Sequence, residues 1–200
     1  MSQQLAVRTW SGVEAPEVGE WDVDAAHTQL QFVARHMMVT KVRGRFDRFQ
    51  GKIHVGEGLE DSWAEFKVEM PSITTGVEDR DQHLRSADFF EIEKYPQMSF
   101  RTTKIEHAGG AKLKVTGDLT IKDVTRPVTF DLVYEGATPN QLGGGTRIFF
   151  TGNAEIDRED WGITWNVALE AGGWLVSKKV ALEIEVAALK KPAEAGATAA

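Results

Sequence analysis

Alternation of apolar and polar residues runs through most of this sequence and restricts the fold more than any other feature. In "TQLQFVARH", Leu30, Phe32, Ala34 and His36 fall on one face, opposite Gln29, Gln31, Val33 and Arg35. Ala64, Phe66, Val68 and Met70 likewise oppose Glu65, Lys67 and Glu69, and Val128, Phe130, Leu132 and Tyr134 oppose Thr129, Asp131 and Val133. Ile148, Phe150, Gly152, Ala154 and Ile156 form a fourth series, and Val180, Leu182, Ile184 and Val186 a fifth. A period of two belongs to strands with one buried face. Turn-forming stretches ("GEGLED", "HAGGA", "KDVTRP", "ATPNQLGGGT", "EAGGW") separate the runs, and no amphipathic helix of useful length intervenes. Regular strands with short turns predict an antiparallel barrel or sandwich and exclude a Rossmann-type fold.

The inward faces mix large residues (Phe32, Phe66, Phe130, Phe150) with small ones (Ala34, Gly44, Gly117, Gly152, Ala154). That mixture suits a barrel with some open interior. An eight-stranded barrel is just wide enough to be filled by side chains or to hold one small ligand. The sequence leaves both open.

At 200 residues the chain is sized for one domain. Periodicity places the domain at 21–189. The first twenty residues read as a flexible extension, and "KKPAEAGATAA", residues 190–200, as a disordered tail. A formal charge of −7 argues against sequence-independent nucleic-acid binding. The lack of cysteine excludes a disulfide framework, a thiolate nucleophile and a Cys-based zinc site. The first residues lack a positive n-region followed by an apolar h-region, and no run approaches the roughly 20 apolar residues that span a bilayer. The expectation is a soluble, cytoplasmic protein with no transmembrane segment.

Within "EDRDQHLRSADFF", residues 78–90, the segment from Asp79 to Ser86 breaks the alternation. Thr75 and Glu78 have capping-box spacing, which predicts a short helix. On it Leu84 and Ala87 share a face, Phe89 and Phe90 add an apolar anchor, and Asp79, Arg80, Asp81 and Arg85 are expected to stay wet. This is the layout of a lid over a barrel mouth. Asp79, Asp81 and His83 offer donor atoms to a metal, but no second cluster of ligands lies nearby in sequence, and solvated helix charges are the better reading. Arg80 and Arg85 flank Asp81 and Asp88, which favours ionised carboxylates over acid/base catalysis.

The other candidates read as structural. His36 falls on the inward face beside Phe32 and Ala34, where a hydrogen-bonded core histidine is the common case, and His27 is expected to satisfy backbone groups near the start of a strand. In "RGRF" Arg43 and Arg45 share a face opposite Gly44 and Phe46 and read as exterior residues. Trp161 and Trp165, among acidic neighbours, read as core plugs. Nucleophile elbow, His-Glu-x-x-His and phosphate-loop motifs are absent, and "GGG" at 143–145 is loop chemistry.

The succession "WDVDAAHTQLQFVARHMMVTKVRGRF", "SITTGVEDRDQHLRSADFFEIEKYPQMSF", "VTGDLTIKDVTRPVTFDL", "IDREDWGITWN" and "LVSKKVALEIEV" closely resembles the YceI-like family of lipocalin-like polyisoprenoid-binding proteins. The resemblance runs from about Trp21 to Val186. It implies an all-β fold, an extended eight-stranded antiparallel barrel, to which the segment at 78–90 adds a short helical lid. It also implies an elongated apolar interior that takes up a long isoprenoid chain, with no metal and no established catalytic residues; the expectation built on it is a carrier or store of a polyisoprenoid or isoprenoid-quinone-type lipid, with no cofactor. The chain departs from the family pattern in lacking a secretory signal, in its N-terminal stretch, and at Ser177-Lys178, where a Gly and an acid are frequent.

On this reading Phe32, His36, Phe66, Met70, Phe130, Phe150 and Leu182 form the apolar wall, and Leu84 and Phe89 belong to the lid. Arg80, His83 and Arg85 are the head-group candidates, with Arg43 and Arg45 behind them. Two alternatives stay open: an enzyme acting on an isoprenoid or other small apolar substrate with His36 or His83 as base, and a ligand-free barrel serving as an interaction module. A homodimer also stays open.

Overall fold

A computed structural model describes residues 9–10, 13–140, 144–170 and 172–190. The expected tail beyond Lys190 lies outside the described residues, as does Gly143 of the glycine run. Among the described residues thirteen strands follow in order: β1 (Thr9–Trp10), β2 (Val13–Glu14), β3 (Gly19–Val23), β4 (Gln29–His36), β5 (Thr40–Phe46), β6 (Phe49–Val55), β7 (Trp63–Glu69), β8 (Ile73–Thr74), β9 (Gln97–His107), β10 (Lys112–Ile121), β11 (Val124–Pro139), β12 (Thr146–Asp157) and β13 (Val176–Lys190). Helix α1 (Glu78–Arg85) lies between β8 and β9, and 3₁₀ turns occupy Met70–Ser72 and Arg158–Trp161.

These pieces build eight barrel strands. β3 and β4 are two arms of one kinked strand and β5 and β6 of the next, since β4 pairs with β5 and β3 with β6, all antiparallel. β7, β9, β10, β11 and β12 follow as antiparallel neighbours. β13 closes the ring. It pairs with β12 from Asp157↔Lys179 to Thr146↔Lys190, and its other edge serves first β4 and then β3. Closure through β13 leaves one edge short of a full-length partner, the outer edge of β5. At the first kink the buried Thr28 stands in for lost ladder bonds: its Oγ1 donates to Ala187 O and accepts from Ala187 N–H, at 3.2 and 3.0 Å. Within residues 1–20, β1 and β2 pair with each other, and Trp21 Nε1 donates to Glu17 O.

β7 stops at Glu69, so the outer edge of β5 has no full-length neighbour. The 70–96 segment fills that place: β8 pairs with β5 at Arg45↔Thr74 and Phe46↔Ile73, and α1 follows. The helix forms where expected, but its capping box does not. Val77 is the N-cap and Glu78 the first helical residue, so Thr75 stands outside the helix. Thr75 instead gives its N–H and hydroxyl to the Asp81 carboxylate, which also accepts from Thr74 Oγ1. Asp81 is therefore buried rather than wet, because Thr74 at the end of β8 and Thr75 just after it supply three donors in place of water.

The core is divided between the two ends. Trp21, Val55, Tyr134, Ile148, Val186 and Ala188 cluster at one. Phe89, Leu119, Ile121, Phe130, Ile156, Trp161 and Ile163 cluster at the other, with Trp161 Nε1 donating to Leu119 O at 3.1 Å as a core plug should. A third group, Phe46, Val68, Met70 and Ile73, underlies the inserted segment. Between the ends the barrel is open.

Candidate ligand-binding site

An apolar cavity of about 250 Å³ occupies the middle of the barrel. On β10 alone its lining extends from Leu113 through Val115 and Leu119 to Ile121. Eight residues at a strand's rise span about 26 Å along that strand, so the cavity is long rather than round. Phe32, Phe66, Phe100, Leu132, Leu182 and Ile184 line it and are only half-buried although they point inward. In a filled barrel such residues would be fully buried.

Glycine placement explains why large side chains do not fill the lumen. Phe32 pairs across the ladder with Gly44, and a Cβ built on Gly44 would stand 2.2 Å from Phe32 Cζ. Leu132 meets Gly152 in the same way, at 2.2 Å from Cδ2. Each large residue leans over the glycine of the next strand and lines the wall instead of crossing the interior.

Of the residues expected to form the wall, Phe32, Phe66, Phe130, Phe150 and Leu182 are in the lining. His36 and Met70 are not. His36 keeps the inward parity of its strand, but it is the last residue of β4, beyond the covered part of the barrel, and is exposed. Met70 begins a 3₁₀ turn that bends it away from β7, and at 2% exposure it is packed into the third core group. Leu84 and Phe89 of the inserted segment reach the lining, together with Phe90.

The cationic candidates lie outside the cavity. Arg80 donates from Nε and Nη2 to Thr75 Oγ1 and Thr75 O. Arg85 donates from Nη2 to Ile73 O at 2.8 Å and approaches Glu78. His83 Nε2 contacts Asp88 Oδ2 at 2.8 Å, and its ring stands edge-on to Phe89 and Trp165. Arg43 and Arg45 are exterior, Arg45 on Asp47 at 2.7 Å. His27 pairs with the Asp24 carboxylate, not with the expected backbone groups. Among the described residues no three His, Asp or Glu side chains gather as a metal site.

Burial alone would raise the Asp81 pKa. The hydrogen bonds from Thr75 and Thr74 and the charge of Arg85 outweigh it and hold the carboxyl below its ordinary value. This carboxylate is a structural tie between α1 and β8.

The lining contains one arginine, Arg158, at 5% exposure. Nε donates to Ser177 O at 3.1 Å and Nη1 to Ile163 O at 2.5 Å, while Nη2 is buried with no acceptor. Desolvation pulls the guanidinium below its ordinary pKa, against the raising effect of Glu159 and Asp157, but an arginine stays charged. The sequence carried a signal for it. Arg158 continues the series Ile148, Phe150, Gly152, Ala154, Ile156 by one more inward step. The other polar lining residues are Gln31, His54, Ser62 and Ser99. His54 stacks on Trp63 and contacts Glu20 at 2.7 Å, and Ser62 Oγ is held between Gly56 N–H and Gly58 O. Chemically, the site is an apolar tube with a single fixed cation in its wall, suited to enclosing an elongated apolar molecule.

A closed eight-stranded antiparallel barrel with an open apolar interior defines a lipocalin-like protein. The chain belongs to the YceI-like domain family, whose model matches residues 21–188. A UPF0312 protein of Staphylococcus aureus (strain MSSA476) is 38% identical over 166 residues, 80% of this chain and 91% of the relative. BcnA of Burkholderia cenocepacia superposes with a TM-score of 0.71 at 24% identity, covering 83% of this chain and 99% of that one. A polyisoprenoid binding domain from Saccharophagus degradans, implicated in plant cell wall breakdown, superposes at 0.64 with 15% identity, covering 88% and 100%.

Proposed function

We propose that the barrel binds the chain of a polyisoprenoid or isoprenoid-quinone-type lipid and acts as its carrier or store. The observation that carries this reading is the long apolar cavity, kept open by the Phe32–Gly44 and Leu132–Gly152 pairs. Membership of the YceI-like family supports it, as does the polyisoprenoid binding described for the Saccharophagus neighbour. Burying hydrocarbon gains about 0.8 kcal/mol per CH₂, so the tail supplies the affinity that offsets ordering and association. A polar head gains less but fixes direction. Arg158 is the residue we assign to it, in place of Arg80, His83 and Arg85.

An enzymatic reading has less support. His36 and His83 lie off the cavity, and His54, which does line it, is joined there only by Gln31, Ser62, Ser99 and Arg158 as polar residues. The test is to purify the protein without detergent, record native mass spectra and extract the bound material. A stoichiometric isoprenoid or quinone is the expected result. A protein that arrives empty and also refuses added polyprenyl lipids overturns the reading in favour of a ligand-free interaction module.

A further inference from the structure

Seven large apolar side chains are exposed among the described residues, and five of them sit on two adjoining turns. Met37, Met38 and Val39 form the β4–β5 turn, and Val167 and Trp174 flank the hairpin that leads into β13. The turns are tied together: Met37 N–H donates to Leu175 O at 2.8 Å and Leu175 N–H to Val167 O at 2.9 Å. Met38 Cγ lies 3.7 Å from where a Gly173 Cβ would stand. The result is one contiguous apolar tip.

The turn itself is built against local preference. Val39 N–H donates to His36 O across Met37 and Met38, whose φ values are 50° and 61°. Two left-handed residues in a hairpin turn are the positions where Asn-Gly is favoured and long side chains are not. Methionine at both positions leaves about half of its side chain in solvent, with 51% and 52% exposure. What it adds is adaptable apolar surface at the extremity of the barrel.

Charge identifies what that surface meets. Arg35 and Lys41 stand directly opposite each other behind the tip, and Arg43 follows on the same face of β5. Like charges opposite one another are destabilising, yet among the described residues none of the three has a carboxylate within ion-pair distance, although the chain as a whole carries −7. Lys178 and Lys179 come next on β13, facing Glu159 and Glu155, and Glu170 is the acid on the neighbouring hairpin. An apolar tip fringed by unpaired cations matches the chemistry of a bilayer surface rich in anionic lipid, where apolar side chains enter the acyl boundary and cations meet the head groups.

We infer that this end of the barrel docks on anionic lipid bilayers through Met37, Met38, Val39, Val167 and Trp174, with Arg35, Lys41 and Arg43 at the head-group level. Docking needs no occupant in the cavity. Ala34 and Val176, just behind the tip, belong to the cavity lining, so docking brings that end of the cavity to the membrane.

The test is flotation of the full chain with vesicles of phosphatidylcholine alone and with added phosphatidylglycerol, at low and high salt. Wild type is expected to float with the anionic vesicles and to be released by salt. Arg35→Gln with Lys41→Gln should weaken binding about fivefold per cation removed. The decisive variant is Met37→Asn with Met38→Gly, which relieves the turn. Its thermal midpoint should hold or rise while vesicle affinity falls by about tenfold or more. Equal flotation of this variant and wild type overturns the inference, as does wild type that ignores anionic vesicles. A sedimentation shift from dimer to monomer in the variant, with no vesicle binding by wild type, makes the tip a contact between two copies instead.

Discussion

Phe32 on β4 and Gly44 on β5 are cross-strand partners, and the ring of the first occupies the space a Cβ of the second would need, 2.2 Å from Cζ. The open lumen depends on such pairs. Gly44→Ala is expected to drive Phe32 inward, at an overpacking cost of about 1–3 kcal/mol. Affinity for a polyene fatty-acid probe, measured by fluorescence titration, should drop, and Phe32→Ala added to Gly44→Ala should restore it. Unchanged affinity in a folded Gly44→Ala protein would count against the account of the wall.

Arg158 gives Nε and Nη1 to two backbone carbonyls and keeps Nη2 buried without an acceptor in the wall of the cavity. Replacing it by Met removes a charge whose hydrogen bond to a ligand head is worth about 1.5–3 kcal/mol. The preference for a chain with a phosphate or carboxylate head over the matching alcohol should shrink accordingly, while affinity for the alcohol holds. If calorimetric titrations show the same preference in wild type and Arg158→Met, the arginine serves only to hold the 158–163 turn to Ser177.

Asp81→Asn separates the tie between α1 and β8 from lipid binding. At neutral pH the loss of a carboxylate accepting from Thr74 and Thr75 should cost about 1–3 kcal/mol. The folded-state pKa of Asp81 is lowered, so its contribution is fully present above the unfolded value, about 3.9, and is lost as pH falls through the folded one. Denaturant melts of wild type and variant should therefore differ at pH 7 and converge below about pH 4. A gap that stays constant down to acid pH would remove the ionised form from the explanation.

Leu84 is the α1 residue in contact with the cavity. Leu84→Asp places a charge against apolar lining at a half-buried position. It should accelerate release of a bound lipid in stopped-flow exchange and leave the strand signal in far-UV circular dichroism intact. Unaltered release would show that cargo does not leave past the inserted segment.

Alternation by itself determined an antiparallel barrel or sandwich, because side-chain parity is a property of residues two apart and needs no partner; the choice of the barrel came from the motifs shared with the YceI-like family. The same local rule assigned Phe32, Phe66, Phe130, Phe150 and Leu182 to the interior, and the break in alternation marked the helix at 78–85. What parity cannot carry is depth. His36 has the inward parity of Phe32, but β4 ends there and the residue is exposed; Met70 has the parity of Phe66, but a 3₁₀ turn diverts it into the core. Asp81 reads as a solvated helix charge until β8, anchored to β5, brings Thr74 and Thr75 to it. Arg158 looks like one charge in an acidic run, yet Ile163 and Ser177 draw it inside. For Asp81 and Arg158 the deciding contacts come from outside the residue's own helix or turn, and burial is set by those neighbours. Tertiary structure alone could also show that the lumen is open, since that depends on whether a large residue meets a glycine on the adjacent strand.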